Sequence, residues 1–167
     1  MDLQSAADGG NIGDNDGATA ILRHDHQSLR KAFGQYRELM NDAAAQRAAL
    51  AQDICMQIEL HFSITREIFY PAMAGHAAAL IRNLAHGQDD IQQCIDTLRR
   101  AQPVAEPELD STMIRLMELG DIYICRERKL IAAAATAAGA DLQALGVRMI
   151  RQREDIAGAV RDLEGRS

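Results

Sequence analysis

Apolar side chains recur at alternating three- and four-residue steps through most of this chain, and this spacing restricts its fold more than any other feature. An α-helix brings residues three and four apart onto one face, so each such stretch predicts a helix with one buried stripe. No stretch alternates with the period of two that a half-buried β-strand requires. The pattern predicts an all-α protein, and the short connections favour an up-down-up-down antiparallel four-helix bundle.

The spacing also predicts where the helices begin and end. Pro71 is expected to end the second helix, because proline disrupts the preceding turn and biases Tyr70 away from helical conformations. Residues 1–17 are polar and lack periodicity, so we expect a disordered N-terminal lead, with Asp16 as the first helix cap. The bundle domain then covers 18–163, including a short C-terminal helix. The predicted helices are 18–41, 44–70, 76–101, 108–137 and 141–163.

Composition and charge exclude several classes of protein. The net charge is −6, whereas proteins that bind nucleic acids typically have a basic surface. No apolar run approaches the roughly 20 residues that span a bilayer, and the polar N-terminus does not resemble a secretory signal. The three isolated cysteines predict neither a disulfide framework nor a zinc knuckle. We therefore expect a cytoplasmic protein with neither nucleic acid nor membrane as a partner.

No catalytic motif accompanies these features. The sequence contains no Ser/His/Asp arrangement, Gly-rich phosphate loop or paired carboxylate site that would indicate a hydrolase or a nucleotide-dependent enzyme. We therefore expect a non-enzymatic protein without catalytic residues.

Two histidines lie on the predicted buried stripes. His26 belongs to the stripe of the first helix, and His61 belongs to the second, one turn before Thr65. On the third helix the apolar phase places Gln88 inward, whereas His86, two residues away, points elsewhere. Imidazoles on facing helices can bind iron or zinc, but two buried, hydrogen-bonded histidines would give the same pattern.

Three sequence blocks resemble a known family. Residues 21–26 read Ile-Leu-Arg-His-Asp-His, residues 67–71 read Glu-Ile-Phe-Tyr-Pro, and the segment 142–156 forms a similar tail. Over roughly residues 18–157 the chain resembles the hemerythrin-like (HHE cation-binding) domain. The resemblance implies a four-helix bundle that holds two irons with histidines from each helix and with carboxylates one turn after two of them.

The resemblance also implies how the family's ligand positions are filled in this chain. His26 and His61 match the histidines of the first two helices, and Thr65 stands where a carboxylate is expected. On the fourth helix, Ile122 falls at the histidine position and Arg126 at the carboxylate position. An arginine beside two divalent irons would be strongly repelled. The di-iron site is therefore expected to be degraded, or replaced by a weaker or mononuclear site.

These residues leave several alternatives open. A mononuclear site would use His26 and His61 with His86 or Cys125, and non-haem iron would be sub-stoichiometric or absent. Arg126 either extends to the bundle end or fills the vacated metal cavity. The family resemblance favours a cation-binding protein that senses or stores a metal ion or a small diatomic ligand. The residues themselves favour a metal-free bundle that acts as a regulatory or protein-interaction module, with an unidentified protein partner.

Overall fold

Helices account for nearly all of the residues that this computed structural model describes, namely 17–40, 44–100, 106–137 and 140–166. These ranges contain no β-strand, and the predicted all-α bundle with a C-terminal helix is confirmed. The elements are α1 (Ala18–Leu39), α2 (Ala44–Ile64), a π-helical segment (Thr65–Phe69), α3 (Tyr70–Arg100), α4 (Glu106–Thr136) and α5 (Leu142–Glu164).

The start of α1 differs from the prediction. Gly17, with extended backbone at φ −117° and ψ −170°, is the N-cap of α1, so the cap falls one residue after the predicted Asp16. The predicted disorder of residues 1–17 lies, apart from Gly17, outside the described residues.

Cross-helix hydrogen bonds establish the alternating directions. Tyr36, late in α1, donates to Asp110 at the start of α4 over 2.8 Å, whereas His26 meets Glu127 further along α4. The residue numbers thus rise along α1 as they fall along α4, and the two helices are antiparallel. At the contact of α1 with α4, a Cβ on Gly120 would lie 2.9 Å from the Phe33 ring. The absence of a side chain at Gly120 therefore lets these two helices approach closely.

The second bundle helix continues past Pro71, so the prediction that this proline ends it is wrong. Tyr70 has helical angles (φ −65°, ψ −43°), and its N–H donates to the carbonyl of Thr65, five residues back. This wider π-type turn immediately precedes the proline. Because a π turn displaces the carbonyls from their regular positions, it relieves the clash that proline would make in an ordinary α-helix.

The chain reverses at Ala77 instead. Its angles of φ −149° and ψ 41° interrupt α3, whose remaining residues return alongside α2. Arg66 accordingly donates to Asp89 over 2.9 Å, and Gln92 donates to Glu59 over 3.2 Å. The third helix of the bundle is therefore the part of α3 after Ala77.

Helix α5 packs alongside α1 in the same direction. Gly146 lies against Ala18, and Arg153, two turns further along, reaches Asp25. Met149 of α5 is fully buried. None of the helices in the described ranges is both long and apolar enough to cross a membrane.

Candidate metal centre

Three buried side chains converge at the centre of the bundle. The Nε2 atoms of His26 and His61 lie 2.6 and 2.7 Å from the same oxygen, Oε2 of Glu127. The exposed fractions are 5%, 1% and 0% for the two histidines and the glutamate, respectively. One ligand atom from each of these three residues lies within 4.8 Å of the other two. Within the described residues, this group of histidine and acidic side chains could therefore hold a metal ion. Each residue comes from a different helix, α1, α2 or α4.

Asp25 orients His61 through the Nδ1 atom of its ring. Its Oδ2 lies 2.9 Å from Nδ1 of His61, and Arg153 donates to the same oxygen over 2.7 Å. Burial alone would raise the pKa of Asp25, but the hydrogen bonds from His61 and Arg153 outweigh burial and lower it. Asp25 is therefore a carboxylate that accepts the Nδ1 proton of His61, so the Nε2 atom of His61 is the one directed at the cluster.

Two tyrosines hold the other oxygen of Glu127. Tyr70 and Tyr123 each donate to Oε1 over 2.6 Å, and their hydroxyl oxygens lie 2.5 Å apart. Gln88 donates to Tyr123 over 2.9 Å and to Thr65 over the same distance. The half of the site beyond Glu127, on the side of its Oε1 atom, is thus filled by uncharged hydrogen-bonding groups.

Charge pairing dominates the ionisation of the cluster. Burial would lower the pKa of His61, but the negative charge of Glu127 and the hydrogen bonds to Asp25 and Glu127 raise it to about 9. Burial would raise the pKa of Glu127, but the neighbouring His61 and His26 hold it well below its usual range. Burial, together with the charge of Glu127, raises the pKa of Tyr70 and Tyr123. Without a metal, the cluster is a glutamate paired with a protonated His61 and capped by two neutral tyrosines.

The structure brings some of the predicted site residues into the cluster and leaves others outside it. His26 and His61 come together as expected, and their role as metal ligands stays a prediction. Gln88 is buried, as the apolar phase indicated, whereas His86 is exposed and takes no part in the cluster. Thr65 is fully buried and donates to the carbonyl of His61 over 3.0 Å, so no carboxylate follows His61 at this position.

The predicted orientation of α4 is wrong by one residue. Ile122 is 49% exposed and Arg126 is exposed, whereas the adjacent Tyr123 and Glu127 point into the bundle. The buried stripe of α4 runs in alternating steps of four and three through Leu109, Met113, Leu116, Gly120, Tyr123, Glu127, Leu130 and Ala134. Gly120 and Glu127 are not apolar, and this obscured the stripe in the sequence.

This register changes the chemistry expected of the centre. Glu127 supplies a carboxylate on the fourth helix, so the conclusion that both family carboxylates are missing is wrong. Arg126 does not fill the predicted metal cavity beside the histidines, because it faces solvent. Cys125 is exposed as well. Arg126 is therefore not placed to repel a metal ion at the cluster.

Sequence reasoning missed Asp25, Tyr70 and Arg153. Asp25 lies one residue from the buried stripe of α1, and from there it reaches His61 of the neighbouring helix. Tyr70 was obscured by the expectation that Pro71 would end the helix and bias Tyr70 away from helical conformations. Arg153 lies 128 residues from Asp25 in the chain, and no local pattern signals such a contact.

A known protein family matches most of this chain. The sequence model of the Hemerythrin HHE cation binding domain matches residues 17–135. The chain belongs to this family. Neither the curated proteins nor the solved structures compared with the chain gave a significant match. The three converging residues of the hemerythrin-like domain all lie inside the matched range, whereas α5 and its Arg153 lie beyond it.

Proposed function

We propose that this hemerythrin-like protein is a non-enzymatic cation-binding protein that holds one transition-metal ion with His26, His61 and Glu127. The observation that supports this most directly is that two Nε2 atoms approach one carboxylate oxygen within 2.7 Å in the bundle core. Two imidazoles and a carboxylate form the ligand set that suits non-haem Fe(II), and zinc accepts the same donors. Asp25 supports the assignment, because metal-binding histidines commonly donate their second N–H to a carboxylate.

A second metal ion does not fit the residues beyond Glu127. Thr65, Gln88 and Tyr123 offer that half of the site no carboxylate and no imidazole, and they are hydrogen-bonded to one another. Arg66 donates to the Gln88 amide oxygen, so a cation already lies close to this half. Two divalent ions in a protein interior need more negative charge than Glu127 provides. We therefore propose a mononuclear site.

The surrounding residues would prepare the donors for one ion. Asp25 keeps the proton of His61 on Nδ1, which leaves Nε2 free to coordinate once its own proton is displaced. Tyr70 and Tyr123 hold Oε1 of Glu127 by two hydrogen bonds and thereby present Oε2 to the histidines. An ion held by three protein ligands retains open positions, at which a small diatomic ligand can bind.

One observation favours the alternative of a metal-free regulatory or protein-interaction module. Both oxygens of Glu127 already accept hydrogen bonds from side chains of this chain. The buried charge is thus compensated without a metal, as a purely structural cluster requires. The two functions differ in whether an ion displaces the protons between Glu127 and the histidines.

Metal analysis of the full chain tests the proposal. We expect metal-depleted protein loaded anaerobically with Fe(II) to retain one ion per chain after desalting. Glu127→Gln should weaken binding by more than the roughly 10- to 100-fold loss typical of changes in residues that only contact a ligand. Glu118→Gln, which changes an exposed residue on the same helix, should bind like the wild type.

The other outcomes are equally informative. Two ions per chain would contradict a mononuclear site. A colourless protein that retains no iron and no zinc, with unchanged helicity by circular dichroism, would contradict the proposal and support the metal-free module.

A further inference from the structure

A pocket lined by three arginines opens between α1 and α4 beside the buried cluster. It has a volume of about 400 Å³ and is lined by the exposed residues Arg23, Arg30 and Arg128, with His26 among its lining residues. His26 thus belongs both to the buried cluster and to this opening. Pockets of a few hundred cubic ångströms are of the size that binds small ligands.

Helical spacing on two facing helices creates this pocket. On α1, Arg23, Gln27 and Arg30 follow each other at steps of four and three, so their side chains share one face. On α4, Ile124, Arg128 and Ile131 repeat the same steps and complete the wall. The antiparallel packing sets the two rows side by side. The arginines therefore belong to one site on adjacent helices.

These three guanidinium groups have no acidic partner among the described residues. Elsewhere in the same ranges, Arg66 pairs with Asp89 and Arg153 pairs with Asp25. The nearest acid along the α4 row, Asp121, is held by Arg37 over 3.1 Å. Three unpaired positive charges at one pocket are unusual in a chain whose net charge is −6. Their mutual repulsion would be relieved by a bound anion.

We propose that this pocket binds a small oxyanion, for which inorganic phosphate is the test ligand. A planar guanidinium donates two parallel hydrogen bonds to the oxygens of a phosphate or carboxylate, and arginine is favoured over lysine for this purpose. Three such groups line this pocket, and Ile124 and Ile131 supply an apolar wall. His26, a lining residue, would lie next to the bound anion. This site shares His26 with the proposed metal centre but needs no metal ion.

Titration of metal-depleted full-length protein with inorganic phosphate tests the site. We expect saturable binding by isothermal titration calorimetry at fixed pH, with sodium chloride matching the ionic strength. Arg30→Gln combined with Arg128→Gln should weaken phosphate binding at least tenfold. The control combines Arg82→Gln with Arg151→Gln, which removes the same charge from exposed positions on α3 and α5, and should retain the wild-type affinity.

Nuclear magnetic resonance locates the bound anion. Phosphate should shift the imidazole signals of His26 and leave those of His86, which is exposed on α3, unchanged. The proposal is overturned if the wild type shows no saturable binding. It is also overturned if both double variants lose affinity equally, or if the His26 signals do not move.

A second titration distinguishes the source of the anion. Tighter binding of AMP than of phosphate would assign the pocket to the phosphate of a nucleotide, whereas equal or weaker binding would assign it to a free oxyanion. Either result supports an oxyanion site. Because all of these measurements use metal-depleted protein, their failure would leave the proposed metal function untouched.

Discussion

Glu127 determines the chemistry of the bundle core. It is fully buried, and its two oxygens lie within hydrogen-bonding distance of two imidazoles and two phenols. A buried carboxylate without such partners would be strongly unfavourable. Asp25 matters almost as much, because it fixes which nitrogen of His61 faces Glu127.

At this scale we predict that Asp25→Asn weakens metal binding roughly 10- to 100-fold without unfolding the protein. An asparagine can still accept the His61 proton, but it lacks the negative charge that favours this tautomer and pairs with Arg153. Competition with a chelator of known affinity measures the change. Asp53→Asn, at an exposed position on α2, is the matched control and should bind as the wild type does. Equal affinity of all three proteins would show that Asp25 does not orient a ligand.

At the scale of the elements, α4 and the π-helical segment position the site. The alternating steps of four and three along α4 bring Tyr123 and Glu127 inward together, and Gly120 on the same stripe lets α1 approach. The π-helical segment at Thr65–Phe69 carries the second helix through Pro71 and thereby keeps Tyr70 in the core. In an α-helix, each inserted or deleted residue rotates the residues that follow by roughly 100°. Such a change between His61 and Tyr70 would therefore alter the direction of Tyr70 relative to His61.

The close approach of α1 and α4 gives a prediction for a matched pair of glycines. Gly120→Ala should destabilise the protein by about 1–2 kcal/mol, because its Cβ would meet the buried Phe33 ring at 2.9 Å and the cost of overpacking exceeds the gain in helix propensity. Gly34→Ala, on α1, has no atom within 4 Å of its Cβ and should stabilise the protein by up to about 1 kcal/mol.

Urea unfolding followed by circular dichroism measures both changes. If Gly120→Ala stabilised the protein as much as Gly34→Ala, α1 and α4 would not be in close contact at Gly120 and Phe33.

At the scale of the whole molecule, the buried cluster links stability to pH. The fold raises the pKa of His61 from 6.5 to about 9. The contribution of His61 to the free energy of unfolding is therefore complete below pH 6.5 and is lost as the pH rises through 9. The fold lowers the pKa of Asp25 and Glu127, so their contribution is complete above their ordinary pKa values and is lost as the pH falls. The window in which all three contribute fully therefore lies between about pH 4.5 and pH 6.5.

We predict that the metal-free protein loses up to about 3 kcal/mol of unfolding free energy between pH 6.5 and pH 9. Urea unfolding at several pH values in this range measures the loss. His61→Gln should flatten the profile, because the group whose pKa is raised is gone. His86→Gln changes an exposed histidine and should keep the wild-type slope. A wild-type profile that is flat over this range would show that His61 is neutral in the folded protein.

The spacing of apolar residues was enough to predict the all-α bundle, the approximate helices and the burial of His26 and His61, because this spacing fixes which side of a helix is buried. It could not fix the rotation of α4, where a glycine and a charged residue occupy the buried stripe. The ligand positions therefore fell on Ile122 and Arg126 and not on Tyr123 and Glu127, which face the core. Nor could it foresee the helix continuing through Pro71, which depends on a π turn. Asp25 and Arg153 meet across 128 residues of chain, and only the packing of α5 against α1 brings them together.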